Sequence, residues 1–141
     1  MPVTFTPVEN NRIMTFKITD PWQTEELVGH YAAEYQYFNN SKGKIHTIFD
    51  LAAMRTVPPT ALRARSGPGL DHPNSGYVVL VGGHPLARAL AELIERLLRA
   101  KRFKFVASYE DGIAFLKQQI IAEDATNSEK AGVGASPAAT V

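Results

Sequence analysis

The fold is decided by the stretch IHTIFDL, residues 45–51. β-Branched and aromatic residues dominate it, and a glycine and a lysine precede it, so the stretch predicts a β-strand. The segment MRTVPPTAL, residues 54–62, follows almost at once. Pro58 disfavours helix in the residue before it, whereas Pro59 suits a first helical turn. The segment therefore predicts a loop that enters a short helix running from Pro59 to about Arg65.

Outward from this centre the chain alternates strands and helices. Further strands are predicted at residues 3–8, 12–19, 77–81 and 103–107. Further helices are predicted from residue 21 to about 38, from 85 to 101, and from 109 onward, whereas residues 66–76 predict a loop rich in glycine and proline. The order ββαβαβαβα predicts an α/β fold with a five-stranded mixed sheet, in which the first strand is antiparallel and the rest are parallel.

Right-handed crossovers between successive neighbours place the four predicted helices mainly on one face of this sheet. The other face is then partly open, and it is a candidate for a homodimer contact or for ligand cover. The longest helix carries apolar residues at helical spacing, which predict its core-facing stripe. That stripe comprises Leu86, Leu90, Leu93, Ile94, Leu97 and Leu98.

The chain of 141 residues predicts one domain over residues 1–122. From residue 123 to 141 it holds few large apolar groups, and this composition predicts a disordered tail. A formal net charge of +1 gives no strong field for nucleic acid. No signal peptide and no run of roughly 20 apolar residues is visible, so we expect a cytoplasmic protein without a transmembrane segment.

Metal and catalytic chemistry find little support in the sequence. The chain has no cysteine, which excludes disulfides, thiolate metal sites and cysteine nucleophiles. Its four histidines show no metal-ligand spacing, and no set of nucleophile, base and acid is visible. We therefore expect a protein that is not an enzyme and that needs no metal or cofactor.

Several stretches resemble the STAS domain of sulfate transporters and anti-sigma-factor antagonists. They are the strand ending in Phe49-Asp50-Leu51, the apolar strand YVVLV at residues 77–81, and the closing stretch SYEDGIAFL at residues 108–116. The resemblance covers residues from about 3 to 121 and is closest to the stand-alone bacterial STAS-like or Sec14-like members. It implies the ββαβαβαβα fold and a regulatory function.

The antagonist members carry an Asp-Ser-Ser-Gly-Leu signature whose second serine is phosphorylated. This signature falls on residues 58–62, so Thr60 is the phospho-acceptor equivalent, whereas Pro58 replaces the acid and Ala61 the glycine. A phosphate on Thr60 would lie at a helix N-terminus, where negative charge is favoured. The alternative is that Thr60 contributes only to local hydrogen bonding at the helix start.

In open α/β sheets, ligands and partners are met where a strand ends and a helix begins. The first hypothesis is therefore a non-enzymatic STAS-like domain that docks a partner protein through the loop and helix after the third strand. The predicted partner-binding residues are Arg55, Thr56, Val57, Pro58, Pro59, Thr60 and Arg63. The alternative is a small carrier or sensor of a lipid or other apolar ligand, as the Sec14-like resemblance implies, with the glycine- and proline-rich loop as its mouth.

A second strand-to-helix turn is formed by Gly82, Gly83 and His84. Free backbone N–H groups at a helix start can hold an anion, so these three residues are a candidate anion-binding site. The turn is neither a Walker motif nor a dinucleotide fingerprint. Glycines are also what any tight strand-to-helix turn requires, and the sequence leaves both interpretations open.

Overall fold

The computed structural model describes the backbone over residues 2–82, 84–98 and 102–140, and side chains over residues 2–82, 84–97 and 102–126. The chain forms a five-stranded sheet in the order β1-β2-β3-β4-β5. The strands are β1 (Val3–Val8), β2 (Ile13–Ile18), β3 (Ile45–Asp50), β4 (Ser75–Val81) and β5 (Phe103–Val106). β1 is antiparallel to β2, and the other neighbours are parallel. The predicted α/β fold and mixed sheet are confirmed.

The described helices are α1 (Thr24–Val28), α2 (Tyr31–Asn39), α3 (Pro68–Asp71), α4 (Pro85–Leu98) and α5 (Tyr109–Thr140), and a 3₁₀ helix spans Ala61–Ser66. The single helix predicted from residue 21 is two helices, α1 and α2. Gly29, a poor helix former, lies at the break. His30 follows it, and its Nε2 atom lies 3.2 Å from the carbonyl oxygen of Val3, which ties the break to β1.

The two segments after β3 also differ from prediction. The helix predicted to begin at Pro59 is the 3₁₀ helix, which begins at Ala61. The predicted loop at residues 66–76 contains α3 and the start of β4 at Ser75. Pro68 occupies the first turn of α3, where its missing N–H breaks no hydrogen bond. Glycine and proline here begin a short helix rather than exclude one.

Alternation along the strands gives the sheet two apolar faces. On β2, Met14 and Phe16 belong to the larger core, which packs against α1 to α4. Ile13 belongs to the smaller core, which also contains Leu116 of α5. Helix α5 therefore covers the face that the sequence analysis expected to be partly open. The strand before α5, β5, is the last strand of the sheet. Helix α5 packs its apolar residues on the sheet face that α1 to α4 leave uncovered.

Helix α4 is rotated relative to the prediction. Ala87, Ala91 and Ile94 face the core, at 4% to 6% exposure. Three of the predicted core residues are exposed instead: Leu86 at 54%, Leu93 at 40% and Leu97 at 56%. Consecutive residues lie about 100° apart around a helix, so α4 carries two apolar stripes side by side.

Two contacts on the β5 side fix which stripe of α4 is buried. The Arg88 guanidinium lies 4.1 Å from the centroid of the Phe105 ring. The Phe103 N–H donates to the Glu95 carboxylate at 3.4 Å. Both contacts are tertiary, so helical periodicity alone does not specify the rotation.

The predicted boundary after residue 122 is not where α5 ends, because the helix continues to Thr140. Glu123 contacts His46 at 2.8 Å, and Asp124 contacts Arg12 at 2.9 Å. These contacts join the first two residues of the predicted tail to β3 and to the turn before β2. The disordered tail over residues 123–141 stays a prediction. Among the described residues, no helix combines the length and the apolar character that crossing a membrane requires.

Candidate binding site

The segment of residues 54–62 is held in place at its start by the residues before α1. The Asp20 carboxylate accepts hydrogen bonds from the Thr56 hydroxyl at 2.8 Å, from the Arg55 N–H at 2.6 Å and from the Thr56 N–H at 3.2 Å. These bonds, the Thr56 hydroxyl first, lower the pKa of Asp20. The Trp22 indole N–H donates to the Thr56 carbonyl at 2.8 Å.

Further contacts hold the segment where it enters the 3₁₀ helix. The Thr60 hydroxyl donates to the hydroxyl of Thr24, which is fully buried, at 2.9 Å. The Arg63 guanidinium pairs with Glu25 at 2.9 Å on the exposed surface. The Tyr31 hydroxyl donates to the carbonyl of residue 64 at 2.7 Å. The segment is therefore fixed along its length by residues 20–31.

Thr60 precedes the 3₁₀ helix and is exposed, but its side chain does not cap that helix. Pro58 and Pro59 form a turn in front of it, which the Ala61 N–H closes by donating to the Pro58 carbonyl at 3.0 Å. The Thr60 hydroxyl therefore has a structural role, but it joins the segment to α1 and not to the start of the 3₁₀ helix. Phosphorylation of Thr60 stays a prediction.

Beneath the segment lies an apolar cavity of about 80 Å³. It is bounded by the sheet, by residues 54–64 and by α4, and every residue that lines it is apolar. Its walls include Trp22, Met54, Val57, Ala61, Ala87, Leu90 and Ala91. Because Ala87 and Ala91 are small, α4 leaves this space unfilled above the sheet.

A surface groove of about 410 Å³ lies directly outside the cavity, between residues 57–62 and α4. The groove and the cavity share Val57, Ala61 and Leu90 as lining residues. Leu86 and Leu93, two of the exposed leucines of α4, line the outer part of the groove. An apolar space inside the fold thus opens towards an exposed apolar surface.

The predicted partner-binding residues divide into two groups. Val57, Pro58 and Pro59 line the groove. The others contact the segment before and within α1 through backbone or side-chain atoms: Arg55, Thr56, Thr60 and Arg63. Sequence reasoning missed the α4 side of the site. The available signal was the pair Ala87 and Ala91, four residues apart beside a stripe of leucines.

The candidate anion site shows structural roles for two of its residues. Gly82 has a φ of 89°, and a Cβ there would come within 2.8 Å of the Ala52 Cα. The His84 Nδ1 accepts the Leu86 N–H at 3.2 Å, so the imidazole itself caps the start of α4. Gly83 lies outside the described residues. These contacts favour the tight-turn interpretation.

Two buried titratable groups lie away from the cavity walls. Glu34 of α2 is 1% exposed, and burial raises its pKa to about 8. His46 of β3 is also 1% exposed, and burial lowers its pKa. Its Nδ1 accepts the Tyr77 N–H at 2.8 Å, so the neutral ring carries its proton on Nε2, towards Glu123. In the part of the chain that the structure describes, no cluster of acidic and histidine side chains is arranged to hold a metal ion.

Comparison of the chain with protein-family models, with curated proteins and with solved structures finds no match. Membership of the STAS family therefore stays a prediction, and the function has to be argued from the geometry of the site.

Proposed function

We propose that the chain binds an apolar small molecule in the cavity beneath residues 54–62, as a carrier or sensor. The observation that carries this proposal is the position of the cavity, directly behind an exposed apolar groove. Binding pockets are typically concave and mostly apolar, and in open α/β sheets they lie beyond the carboxyl ends of the strands. The segment follows β3 at that end.

The energetics support a role for the space, whose volume is about 80 Å³. Cavities destabilise proteins by about 24 cal/mol per Å³. A closed cavity of this volume would cost on the order of 2 kcal/mol, which is an upper limit here because the space opens onto the groove. Larger side chains at Ala87 or Ala91 would fill the space and remove this cost. An apolar ligand would offset it in the same way, because it restores contacts to the lining atoms.

The lining favours binding over turnover. Among the described residues, the cavity wall carries no carboxylate, imidazole, amine or hydroxyl group. General acid–base and nucleophilic catalysis both require such a group within hydrogen-bonding reach of the reacting atoms. A molecule held in the cavity would be stored or sensed without chemical change.

Trp22 provides a direct measurement, since it lines the cavity and is the single tryptophan of the chain. Bromodecanol, a neutral apolar probe whose bromine quenches tryptophan emission, is titrated into the protein while that emission is recorded. Decanol, which has no heavy atom, serves as the competing ligand that does not quench. We expect saturable quenching by bromodecanol that excess decanol reverses. Native mass spectrometry of the purified protein reads any co-purifying ligand independently.

Ala91→Leu is the informative variant, because it fills the cavity from α4. Ala114→Leu is its matched control: the same change at an exposed position on α5. Saturable quenching should disappear in Ala91→Leu and persist in Ala114→Leu. Absence of saturable quenching in the unmodified protein, together with no co-purified ligand, would refute the proposal.

The groove supports a second candidate function, docking of a partner protein. Exposed Leu86 and Leu93 adjoin Pro58 and Pro59, and exposed apolar patches often mark interaction sites. Leu93→Glu would place a charge in the groove but not in the cavity. Loss of a captured partner in Leu93→Glu, with bromodecanol quenching retained, would favour docking. Equal capture by Leu93→Glu and the unmodified protein would exclude this groove as the docking surface.

A further inference from the structure

The segment that forms one wall of the groove belongs to a stretch of uneven charge. Residues 51–70 include Arg55, Arg63 and Arg65 and contain no aspartate or glutamate. Arg63 pairs with Glu25 of α1, whereas the ion pairs of the described residues include neither Arg55 nor Arg65. Asp20 accepts from the Arg55 backbone N–H, and the Arg55 charge contributes to the lowered pKa of Asp20, but the two side chains form no ion pair among the described residues. Two exposed cations therefore remain for a ligand.

Both guanidinium groups lie against residues that form the site. Arg55 donates from one terminal nitrogen to the Ala52 carbonyl at 2.9 Å and to the Met54 carbonyl at 3.3 Å, and Met54 lines the cavity. Arg65 donates to the Leu62 carbonyl at 3.3 Å, and Leu62 lines the groove. A guanidinium has five N–H donors, so each arginine keeps donors that can reach an anionic group.

The interior of the site imposes the opposite requirement. The cavity wall has only apolar side chains, so a charged or strongly polar group has to stay outside it. The volume also restricts the shape of the apolar part. A benzene ring is accommodated by an apolar cavity of about 150 Å³. The present cavity has about 80 Å³, which suits the end of a linear chain rather than a ring.

We infer that the bound molecule is a single-chain anionic amphiphile, with its tail in the cavity and groove and its head group at Arg55 and Arg65. The inference rests on the proposed function and adds the chemical class of the ligand. The tail supplies the apolar burial, and the carboxylate or phosphate head accepts hydrogen bonds from the two guanidinium groups.

The test compares three ligands of equal chain length, decanoate, decanol and decyltrimethylammonium, by how well each displaces bromodecanol, which is measured as recovery of Trp22 emission. We expect decanoate to bind about fivefold tighter than decanol at low salt, as exposed charge pairs typically allow. The cationic probe should bind most weakly, and added salt should reduce the differences because it screens exposed charges. Equal affinities for all three probes overturn this inference and leave the proposed function standing; no binding of any probe overturns both.

The double variant Arg55→Gln/Arg65→Gln tests the two residues. Decanoate affinity should fall about fivefold, to that of decanol, while decanol affinity stays unchanged and shows that the cavity is intact. Lys17→Gln/Lys42→Gln removes the same charge from exposed positions outside the site and should change neither affinity. Unchanged decanoate affinity in the arginine variant overturns the inference.

Vesicles distinguish a free amphiphile from a membrane surface. Decanoate binding without co-sedimentation on phosphatidylglycerol vesicles assigns the site to a free amphiphile. Co-sedimentation without decanoate binding overturns the inference, because the arginines then act on a lipid surface.

Discussion

His46 and Glu123 lie 77 positions apart and form a hydrogen bond of 2.8 Å between the Nε2 and Oε1 atoms. His46 lies on β3, the central strand of the sheet, and Glu123 lies on α5. Earlier residues of α5 cover the second face of the sheet. The Glu123 carboxylate also lies 3.4 Å from the Arg12 guanidinium. One carboxylate thus ties α5 to β3 and to the turn that precedes β2.

Glu123→Ala should lower the free energy of unfolding by about 1–3 kcal/mol, because it leaves the Nε2–H of His46 buried without an acceptor. Urea denaturation measures the change. Gln118→Ala, an exposed position on the same helix, controls for helix propensity. This control should shift stability by less than about 0.5 kcal/mol, as is usual for surface substitutions. Equal stability of the two variants would show that Glu123 does not anchor α5 and would support the domain boundary predicted after residue 122.

Glu34 gives a pH-dependent prediction. Its folded-state pKa, about 8, lies above the ordinary value of 4.5. Between these values the folded chain keeps a proton that the unfolded chain has released. The contribution of Glu34 to the free energy of unfolding is therefore fully present at pH values below its ordinary pKa. It falls by up to about 1.4 kcal/mol per pH unit as the pH rises between the two pKa values. Above the raised pKa it no longer changes with pH.

Glu34→Gln should remove this alkaline loss, because an amide does not titrate in this range. Urea denaturation at pH values below, within and above the window measures the effect. Glu92→Gln, at an exposed position on α4, should keep the pH profile of the unmodified protein. Parallel profiles for Glu34→Gln and the unmodified protein would show that Glu34 is not the titrating group.

Gly82→Ala should lower the free energy of unfolding by about 1–2 kcal/mol, because a residue with a Cβ is strained in the left-handed backbone conformation that Gly82 adopts. The added methyl group would also approach the backbone of Ala52 to 2.8 Å. Gly43→Ala is the matched control, because a Cβ there meets only the Arg12 side chain at 3.5 Å. Thermal unfolding compares the two, and equal midpoints would contradict the structural role of Gly82.

The sequence predicted what depends on local periodicity and missed what depends on distant contacts. The β-branched and aromatic residues of 45–51 identified β3, because strand composition is a local property of the chain. The prediction for α4 was partly wrong because Leu93 and Ile94 both satisfy helical spacing. The contact of Arg88 with the Phe105 ring of β5 selects which of the two is buried, and this contact is tertiary. In the candidate site, Val57, Pro58 and Pro59 were identified from their position after a strand. The α4 wall was missed because a cavity is a property of two packed elements, and no single segment encodes it.

The rotation of α4 predicts opposite outcomes for two adjacent truncations. Ile94→Ala should cost about 2–5 kcal/mol, as expected for a buried isoleucine, whereas Leu93→Ala should cost less than about 1 kcal/mol. Urea denaturation of both variants measures the difference. A larger loss for Leu93→Ala than for Ile94→Ala would contradict the observed rotation of α4, in which Ile94 is buried and Leu93 is exposed.

Ala91→Leu separates stability from ligand binding. The leucine adds about three methylene equivalents to the cavity, so the free energy of unfolding should rise by about 1–2 kcal/mol in the ligand-free protein. Apolar ligand binding should be lost at the same time, because the side chain occupies the ligand's space. In the unmodified protein, saturating decanoate should raise the unfolding midpoint, since a ligand that binds only the folded state stabilises it. In Ala91→Leu that rise should be absent. A variant that is destabilised yet still shifts its midpoint with decanoate would mean that α4 moves aside to accommodate the leucine, and that the ligand occupies the groove rather than the cavity.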